Sequence, residues 1–275
     1  MTLGAWAILA LPGNLTARRA QISLELTGRR DAAGEGGSQM TDLMYLVDGY
    51  QREFEGQVTE NRDDQVELDR TLFYPRGGGQ PSDEGTLVVA GKEYKVLEVF
   101  KEAGRVWHKL DRPAPAAGTA VKGIIDWPRR YALMRYHSAL HVMVGVIYHQ
   151  FGVLVTGGQM YPDRARMDFA LEDLSKDRIA QIEAESNRAI AADLPIVDRI
   201  LPREEAFRIP ELIRTQINLL PQEIAEVRVV DIVGLDMQAD GGTHVHRTGE
   251  IGRLRVTKTE NKGKINKRLE IRLEP

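Results

Sequence analysis

The 275-residue chain contains no cysteine. This absence excludes disulfides, thiol nucleophiles and thiolate metal sites, and it agrees with a reducing compartment such as the cytoplasm. The chain also lacks an apolar run of about 18 residues, so we expect no membrane span. A formal net charge of −3 lacks the basic excess of many nucleic-acid binders, so any RNA binding must depend on local patches.

Composition divides the chain into three parts. Residues 1–39 hold a short apolar stretch without preceding basic residues, then the Gly-rich segment TGRRDAAGEGGSQ. They do not resemble a secretory signal, and we interpret them as a disordered or over-long N-terminal extension. Residues 40–127 contain short segments rich in β-branched and aromatic residues, such as GTLVVAGKEYKVLEVF and GRVWHKL, and predict a small β-barrel domain with a Gly-rich loop.

Residues 128–275 predict an α+β domain with helices packed on a mostly antiparallel sheet. Apolar residues at spacings of three and four predict an amphipathic helix that ends near Gly152; they are Leu133, Tyr136, Leu140, Val144 and Ile147. A second helix is expected from Ser175 to Ala192. Strand-like segments follow the helices, among them RARMDFAL, EVRVVDIV and KRLEIRLE.

Two short motifs predict a shared metal site. His137 and His141 project from one face of the first helix, one turn apart, while Asp240 and His244 flank two glycines in DGGTH. Glycine freedom would let that loop curl so that both side chains reach a tetrahedral zinc ion. Each motif alone has an ordinary alternative: histidines paired by chance, or a tight turn capped by Asp240.

The residue next to His137 and the remaining histidines argue against other kinds of catalytic site. Ser138 occupies the place of the glutamate in the metalloprotease motif HExxH, so that general base is missing. Ser138 is also expected to lie on the wrong side of the helix to form a nucleophile pair with His137. We interpret His108, His149 and His246 as structural or surface residues.

Four motifs in order, GGGQPSDEG, RYHSALHVM, LPREEA and GGTHVHRTGEIG, resemble the alanyl-tRNA editing family from about residue 45 onward. The resemblance is to the medium-length AlaX class, free-standing relatives of the alanyl-tRNA synthetase editing domain. It implies a trans-editing hydrolase that deacylates tRNA(Ala) mischarged with serine, and sometimes with glycine. It also implies one zinc ion per chain, held by His137, His141 and His244, with Asp240 where the family usually has cysteine. The ion would orient the aminoacyl end or activate the attacking water.

Further candidates follow from this resemblance. Thr156 and Gln159 are expected to recognise the serine hydroxyl, although both could instead cap a turn. Phosphate contacts are expected from two arginines and four lysines, which could also be solvated surface; they are Arg129, Arg130, Lys258, Lys262, Lys264 and Lys267. Two other functions remain open, a non-catalytic RNA-binding module with a structural zinc and a zinc hydrolase of another small ester. We expect a cytoplasmic protein with mischarged tRNA as its partner and no obligate protein partner.

Overall fold

The computed structural model describes residues 40–210, 212–216, 220 and 224–274, so the predicted N-terminal extension lies outside the described residues. A two-stranded parallel pair, β1 (Asp42–Leu43) with β4 (Arg70–Thr71), accompanies a closed antiparallel barrel. The barrel order is β2-β3-β7-β6-β5-β8. Its strands are β2 (Glu53–Arg62), β3 (Gln65–Leu68), β5 (Gly85–Val89), β6 (Lys92–Glu102), β7 (Arg105–Leu110) and β8 (Ala120–Ile125). The predicted barrel is therefore confirmed.

The first predicted helix is α1 (Trp127–Phe151). The Asp126 carboxylate accepts a hydrogen bond from Arg129 N at its start, and Gly152, at φ 64°, ends it where the sequence predicts. Its predicted amphipathic character is wrong, because every residue from Tyr136 to Ile147 is buried. Neighbouring elements cover the middle of the helix on all sides, as expected for a helix segment that is apolar all round.

The second half is α+β, as predicted. One antiparallel sheet has the order β14-β15-β10-β9, and a second has the order β11-β12-β13. Helix α2 (Lys176–Ala191) begins after the N-cap Ser175, and α3 (Arg203–Ala206) is a single turn. The strands are β9 (Val155–Tyr161), β10 (Arg164–Phe169), β11 (Ile196–Pro202), β12 (Glu226–Ile232), β13 (Asp236–Ala239), β14 (Arg253–Gly263) and β15 (Asn266–Glu274).

The last barrel strand ends at Ile125 and α1 begins at Trp127, next to the predicted domain boundary, which stays a prediction. Short 3-10 helices cover Met44–Leu46 and Thr248–Ile251. Within the described ranges, no helix combines the length and apolar character needed to cross a membrane.

A buried ion pair joins α1 to the segment that precedes β5. The Arg130 guanidinium donates to both Asp83 carboxylate oxygens and to the carbonyl oxygens of Leu72 and Gly49. Arg130 and Asp83 are both 0% exposed. Arg130 is therefore not placed to contact an RNA phosphate, contrary to the expectation from its position in the sequence, and instead holds the barrel against the helix.

His108 is part of a buried hydrogen-bond network inside the barrel. Its Nδ1 lies 3.2 Å from Val66 O, which can only accept a hydrogen bond, so Nδ1 carries the proton. Its Nε2, 2.8 Å from Thr71 Oγ1, accepts from that hydroxyl. Burial lowers the pKa of His108 to about 4. The neutral ring is thus fully satisfied, which confirms a structural role.

We predict that His108 makes the wild-type protein lose stability in mild acid. Since its folded-state pKa is about 4 and its ordinary pKa is 6.5, the unfolded chain takes up the proton first as the pH falls. As the pH falls from 6.5 to about 4, the free energy of unfolding should drop by about 3 kcal/mol more in wild type than in His108→Gln. Urea unfolding of both proteins across this pH range measures the difference. Parallel profiles would show that His108 does not titrate on unfolding.

Candidate metal centre

Four side chains converge where the middle of α1 faces the loop after β13. His137 and His141 come from the helix, and Asp240 and His244 come from the loop. The Nε2 atoms of His137, His141 and His244 lie 3.3, 3.7 and 3.1 Å from Asp240 carboxylate oxygens. One potential ligand atom from each residue lies within 4.8 Å of the other three. We call these four residues the His/Asp cluster; the structure brings all four predicted ligands together.

Each imidazole of the cluster has a separate polar group next to its other nitrogen. The pairs are His137 Nδ1 with Gln80 Oε1 at 3.0 Å, His244 Nδ1 with Ser138 Oγ at 3.4 Å and His141 Nδ1 with Asp236 Oδ2 at 3.5 Å. With a metal bound, an acceptor at Nδ1 would favour the tautomer with its proton there, so that the Nε2 lone pair faces the ion. Metal-binding histidines commonly have this arrangement.

The charges of the cluster favour a cation at its centre. Burial raises the pKa of the Asp240 carboxyl, but the charge on His137 and hydrogen bonds from the three imidazoles hold it well below its ordinary value. Burial lowers the pKa of His141, yet hydrogen bonds to Asp236 and Asp240 raise it to about 9. Burial and the charge on His137 hold the pKa of His244 well below its usual range. Without a metal the cluster therefore attracts a proton, which a divalent ion would displace on binding.

The DGGTH loop is both a tight turn and a part of the cluster. Asp240 Oδ1 accepts a hydrogen bond of 2.6 Å from Gly242 N, so the capping interpretation of Asp240 also holds. The expectation that the two glycines supply unusual backbone freedom is wrong, since neither has a positive φ. Gly242 provides space instead: a Cβ there would lie 2.3 Å from His137 Cε1. A Cβ on Gly241 would meet nothing within 4 Å.

A cavity of about 640 Å³ opens beside the cluster, and His137, His141 and Asp240 line it. Thr156 on β9 also lines this cavity, and its hydroxyl donates a hydrogen bond of 2.9 Å to Asn266 Oδ1. Gln159 lines a neighbouring cleft. Gln159 is therefore not placed to contact a substrate hydroxyl in the cavity, because strand β9 directs it to the other side.

The predicted RNA-contacting residues are placed unequally. Lys262 and Lys264 are exposed on the β14–β15 hairpin, and Lys258 is exposed but paired with Glu260. Lys267 is only 7% exposed and donates hydrogen bonds to three oxygens of the hairpin turn. It stabilises the turn and is not placed to contact a phosphate.

Arg129 is partly buried, with 20% of its side chain exposed, and it contacts Ser82 O and Glu84. Among the other histidines, His149 Nε2 lies 2.7 Å from Leu235 O, and exposed His246 stacks on Tyr50 with ring centroids 3.9 Å apart. Neither imidazole joins the cluster, in agreement with their interpretation as structural or surface residues.

Sequence reasoning missed the residues that orient the cluster. Gln80 is visible as the end of GGGQ, but nothing in the sequence links it to a helix 57 residues later. Ser138 contacts His244, not His137, and accepts a hydrogen bond from Val245 N. Because Ser138 is fully buried, this contact positions an imidazole and does not create a nucleophile.

Two more orienting residues lie on β12 and β13. Arg228 Nη1 donates to Asp240 O at 3.2 Å and to Gly242 O at 2.9 Å, which fixes the backbone of the loop. Asp236 approaches α1 closely at Gly145, where a Cβ would lie 2.9 Å from Asp236 Cβ. This small residue on the helix, one turn after His141, lets the carboxylate reach that imidazole.

We predict that the two glycines of the loop differ sharply in tolerance. Gly242→Ala should displace His137 and Gln80, since its Cβ would overlap both side chains, and should lower divalent-metal affinity by at least about tenfold. Gly241→Ala is the matched control and should bind metal as wild type does. Metal titration of both variants tests this. Equal affinities would show that the loop and helix do not pack as described.

Two family models and several named relatives match this chain. The model of class II tRNA synthetases (A) matches residues 22–129, and that of the threonyl and alanyl tRNA synthetase second additional domain matches residues 227–270. A protein from Saccharolobus solfataricus named alanyl-tRNA editing protein AlaX-M is 42% identical over 239 residues, covering 86% of this chain and 100% of the relative. A protein of the same name from Methanosarcina acetivorans is also 42% identical, with 84% and 98% covered.

A longer relative shares only this region. An alanine–tRNA ligase from Pyrococcus furiosus is 38% identical over 224 residues, which cover 80% of this chain but 24% of that protein. The match to the AlaX-M proteins, in contrast, extends over nearly their whole length. The chain therefore belongs to the AlaX-M family of alanyl-tRNA editing proteins.

Proposed function

We propose that the protein is a cytoplasmic trans-editing hydrolase that deacylates mischarged tRNA(Ala), chiefly Ser-tRNA(Ala) and also Gly-tRNA(Ala), with one zinc ion per chain. The observation that carries this proposal is the convergence of three imidazoles and one carboxylate at the wall of a cavity. The substrate class comes from the relatives, whose names describe alanyl-tRNA editing.

The residues of the cluster fit a zinc ion. His137, His141, Asp240 and His244 would hold it, and three imidazole nitrogens with one carboxylate oxygen form a donor set that zinc accepts. The groups next to each Nδ1 supply the outer hydrogen bonds that such ligands usually have. A zinc ion held by these residues would supply Lewis-acid polarisation for ester hydrolysis.

The protein's own side chains contribute orientation and selection. Thr156 donates its hydroxyl proton to Asn266 Oδ1, so its oxygen remains able to accept a hydrogen bond from a serine side chain in the cavity. Alanine has no hydroxyl to donate and forgoes this hydrogen bond, which favours serine over alanine. Apolar side chains along the cavity, among them Leu140, Val144 and Leu212, limit the access of bulk water.

The alternative functions make different demands on this site. A structural zinc would be enclosed by its ligands, whereas three of the four cluster residues line an open cavity, which favours catalysis over a non-catalytic RNA-binding module. A hydrolase of another small ester would use the same cluster, so substrate tests must separate it. Arg129 and the exposed hairpin lysines, Lys258, Lys262 and Lys264, are proposed to contact tRNA phosphates.

We predict that the protein deacylates Ser-tRNA(Ala) at least about 10²-fold faster than Ala-tRNA(Ala). A site that accepts the serine hydroxyl in a hydrogen bond rejects an amino acid that lacks it. Time courses with Ser-, Gly- and Ala-tRNA(Ala) measure the three rates, and His137→Ala serves as an inactive control. Equal rates on serine and alanine, or no hydrolysis of the serine ester, would contradict the proposal.

We predict that Asp240→Ala lowers zinc affinity at least about tenfold, because an anionic ligand is lost from a dication. Asp240→Cys should retain zinc and activity, since zinc accepts thiolate readily. Metal content after dialysis and chelator competition provide the measurement.

Asp240→Asn separates a ligand from a turn-former. The amide oxygen can still accept the hydrogen bond from Gly242 N, so a residue that only forms the turn would tolerate this change without loss of zinc. Full zinc occupancy in Asp240→Ala would remove Asp240 from the coordination shell. Retained zinc with lost activity in Asp240→Cys would instead make Asp240 a general base.

A further inference from the structure

A second cleft, of about 750 Å³, adjoins the cavity of the His/Asp cluster. We call it the barrel cleft. The barrel contributes Leu97, Glu98 and Lys109 to it, and the segment between β4 and β5, α1 and β9 contribute the other walls. Gly79 lines both spaces, and along β9 Gly158 lines the cavity while the next residue, Gln159, lines the barrel cleft. The two spaces are therefore direct neighbours.

The divider between the two spaces is backbone without side chains. Gly77 and Gln80 pair through two hydrogen bonds of 3.0 and 2.9 Å, and between them Gly78 and Gly79 adopt φ values of 57° and 81°. The Gly79 carbonyl accepts a hydrogen bond of 2.8 Å from Met160 N, which fixes this turn against β9. Gly78 is exposed, and a Cβ there would meet nothing within 4 Å. A polymer strand can therefore cross the turn from cleft to cavity.

The side chains of the barrel cleft suit a phosphate–sugar chain. Three cations face two acids, and Arg76 pairs with Glu98 while Arg129 lies 3.2 Å from Glu84. The Lys109 ammonium has no hydrogen bond or ion pair within the part of the chain that is described, although its strand neighbour is Glu98. An anionic ligand would supply the missing partner. Leu97 is 48% exposed, and its apolar surface can contact a base or ribose.

We propose that the barrel cleft binds the single-stranded nucleotides that precede the aminoacylated 3′ end of the RNA, with Lys109 on a phosphate. This inference rests on the proposed function, which places the terminal aminoacyl nucleoside in the cavity. The remaining strand must leave that cavity, and the glycine turn gives it a short way into the cleft that Lys109 lines.

The C-terminal hairpin also borders the cavity. Thr156, which lines the cavity, contacts Asn266 on this hairpin, and the hairpin carries exposed Lys262 and Lys264. These lysines lie near the tip of a hairpin, whereas Lys109 lies in a cleft that several parts of the fold line together. A positively charged groove is the usual site for a single strand. The hairpin lysines are then free to contact duplex phosphates.

The test is binding of uncharged RNA, which requires no catalysis. Two acceptor-stem minihelices of tRNA(Ala) are compared, one ending in the single-stranded CCA terminus and one blunt, by fluorescence anisotropy over a range of salt. Lys109→Gln should raise the Kd of the extended RNA several-fold and lower its salt slope by about 0.7, the value for one single-strand phosphate contact. It should leave the blunt RNA unaffected.

Two further variants sharpen this test. Lys92→Gln removes the same charge from an exposed barrel position outside the cleft and should match wild type on both RNAs. Leu97→Ser should weaken only the extended RNA, with its salt slope unchanged, because an apolar contact releases no counterion. Thermal melts of all variants check that the fold is intact.

The outcomes also separate this path from the proposed function. An equal loss on both RNAs, or an equal loss in Lys92→Gln, would overturn the path. A loss specific to the extended RNA only in Lys262→Gln or Lys264→Gln would also overturn it and place the strand at the hairpin. Binding through Lys109 by a protein that leaves Ser-tRNA(Ala) intact would keep the path and refute the editing function.

Discussion

Three buried histidines contact one carboxylate, and this arrangement constrains the residues that surround it. An imidazole buried next to two others is tolerable only if its nitrogens are satisfied and its charge is controlled. Gln80 and Ser138 lie within hydrogen-bond distance of the outer nitrogens of His137 and His244. Asp236 lies 3.5 Å from the outer nitrogen of His141, and Asp240 faces the inner nitrogens of all three rings. Because Gln80 precedes β5, Ser138 is on α1 and Asp236 is on β13, the imidazoles of the cluster are positioned by three separate parts of the fold.

The attachment of the barrel to α1 therefore matters for the site as much as for stability. Asp83, the buried partner of Arg130, lies three residues after Gln80 on the same segment before β5. Gln80 contacts both the helix and the loop of the cluster. Its Oε1 faces His137, and its Nε2 donates to Thr243 Oγ1 at 3.0 Å. The barrel part supplies one of the groups that orient the cluster. An α+β part separated from it would lack the acceptor at His137.

Local spacing in the sequence predicts the four residues of the cluster. It does not predict the residues that reach the cluster through contacts between distant segments. Spacing along one helix puts His137 and His141 on the same face, and the DGGTH loop offers its ligands in the same local way, so the four cluster residues were found. Gln80 and Asp236 reach the cluster only through the packing of distant segments. Charge type also does not predict exposure: Arg130 and Lys267 carry the charge that phosphates attract, but Arg130 is fully buried and Lys267 caps a turn.

Asp240 has two equivalent oxygens that make different contacts. The cysteine implied by the family resemblance has only one ligand atom. Oδ1 accepts from Gly242 N and faces His244, so it shapes the turn and orients the ligand at the end of the same loop. Oδ2 faces the two helix histidines, at 3.3 and 3.7 Å. A single thiolate sulfur would have to replace both contacts, and sulfur is a weak acceptor for the backbone N–H. A carboxylate at this position therefore joins the conformation of the loop to the electrostatics of the centre, so that one side chain holds the loop in place and supplies the negative charge that a cation requires.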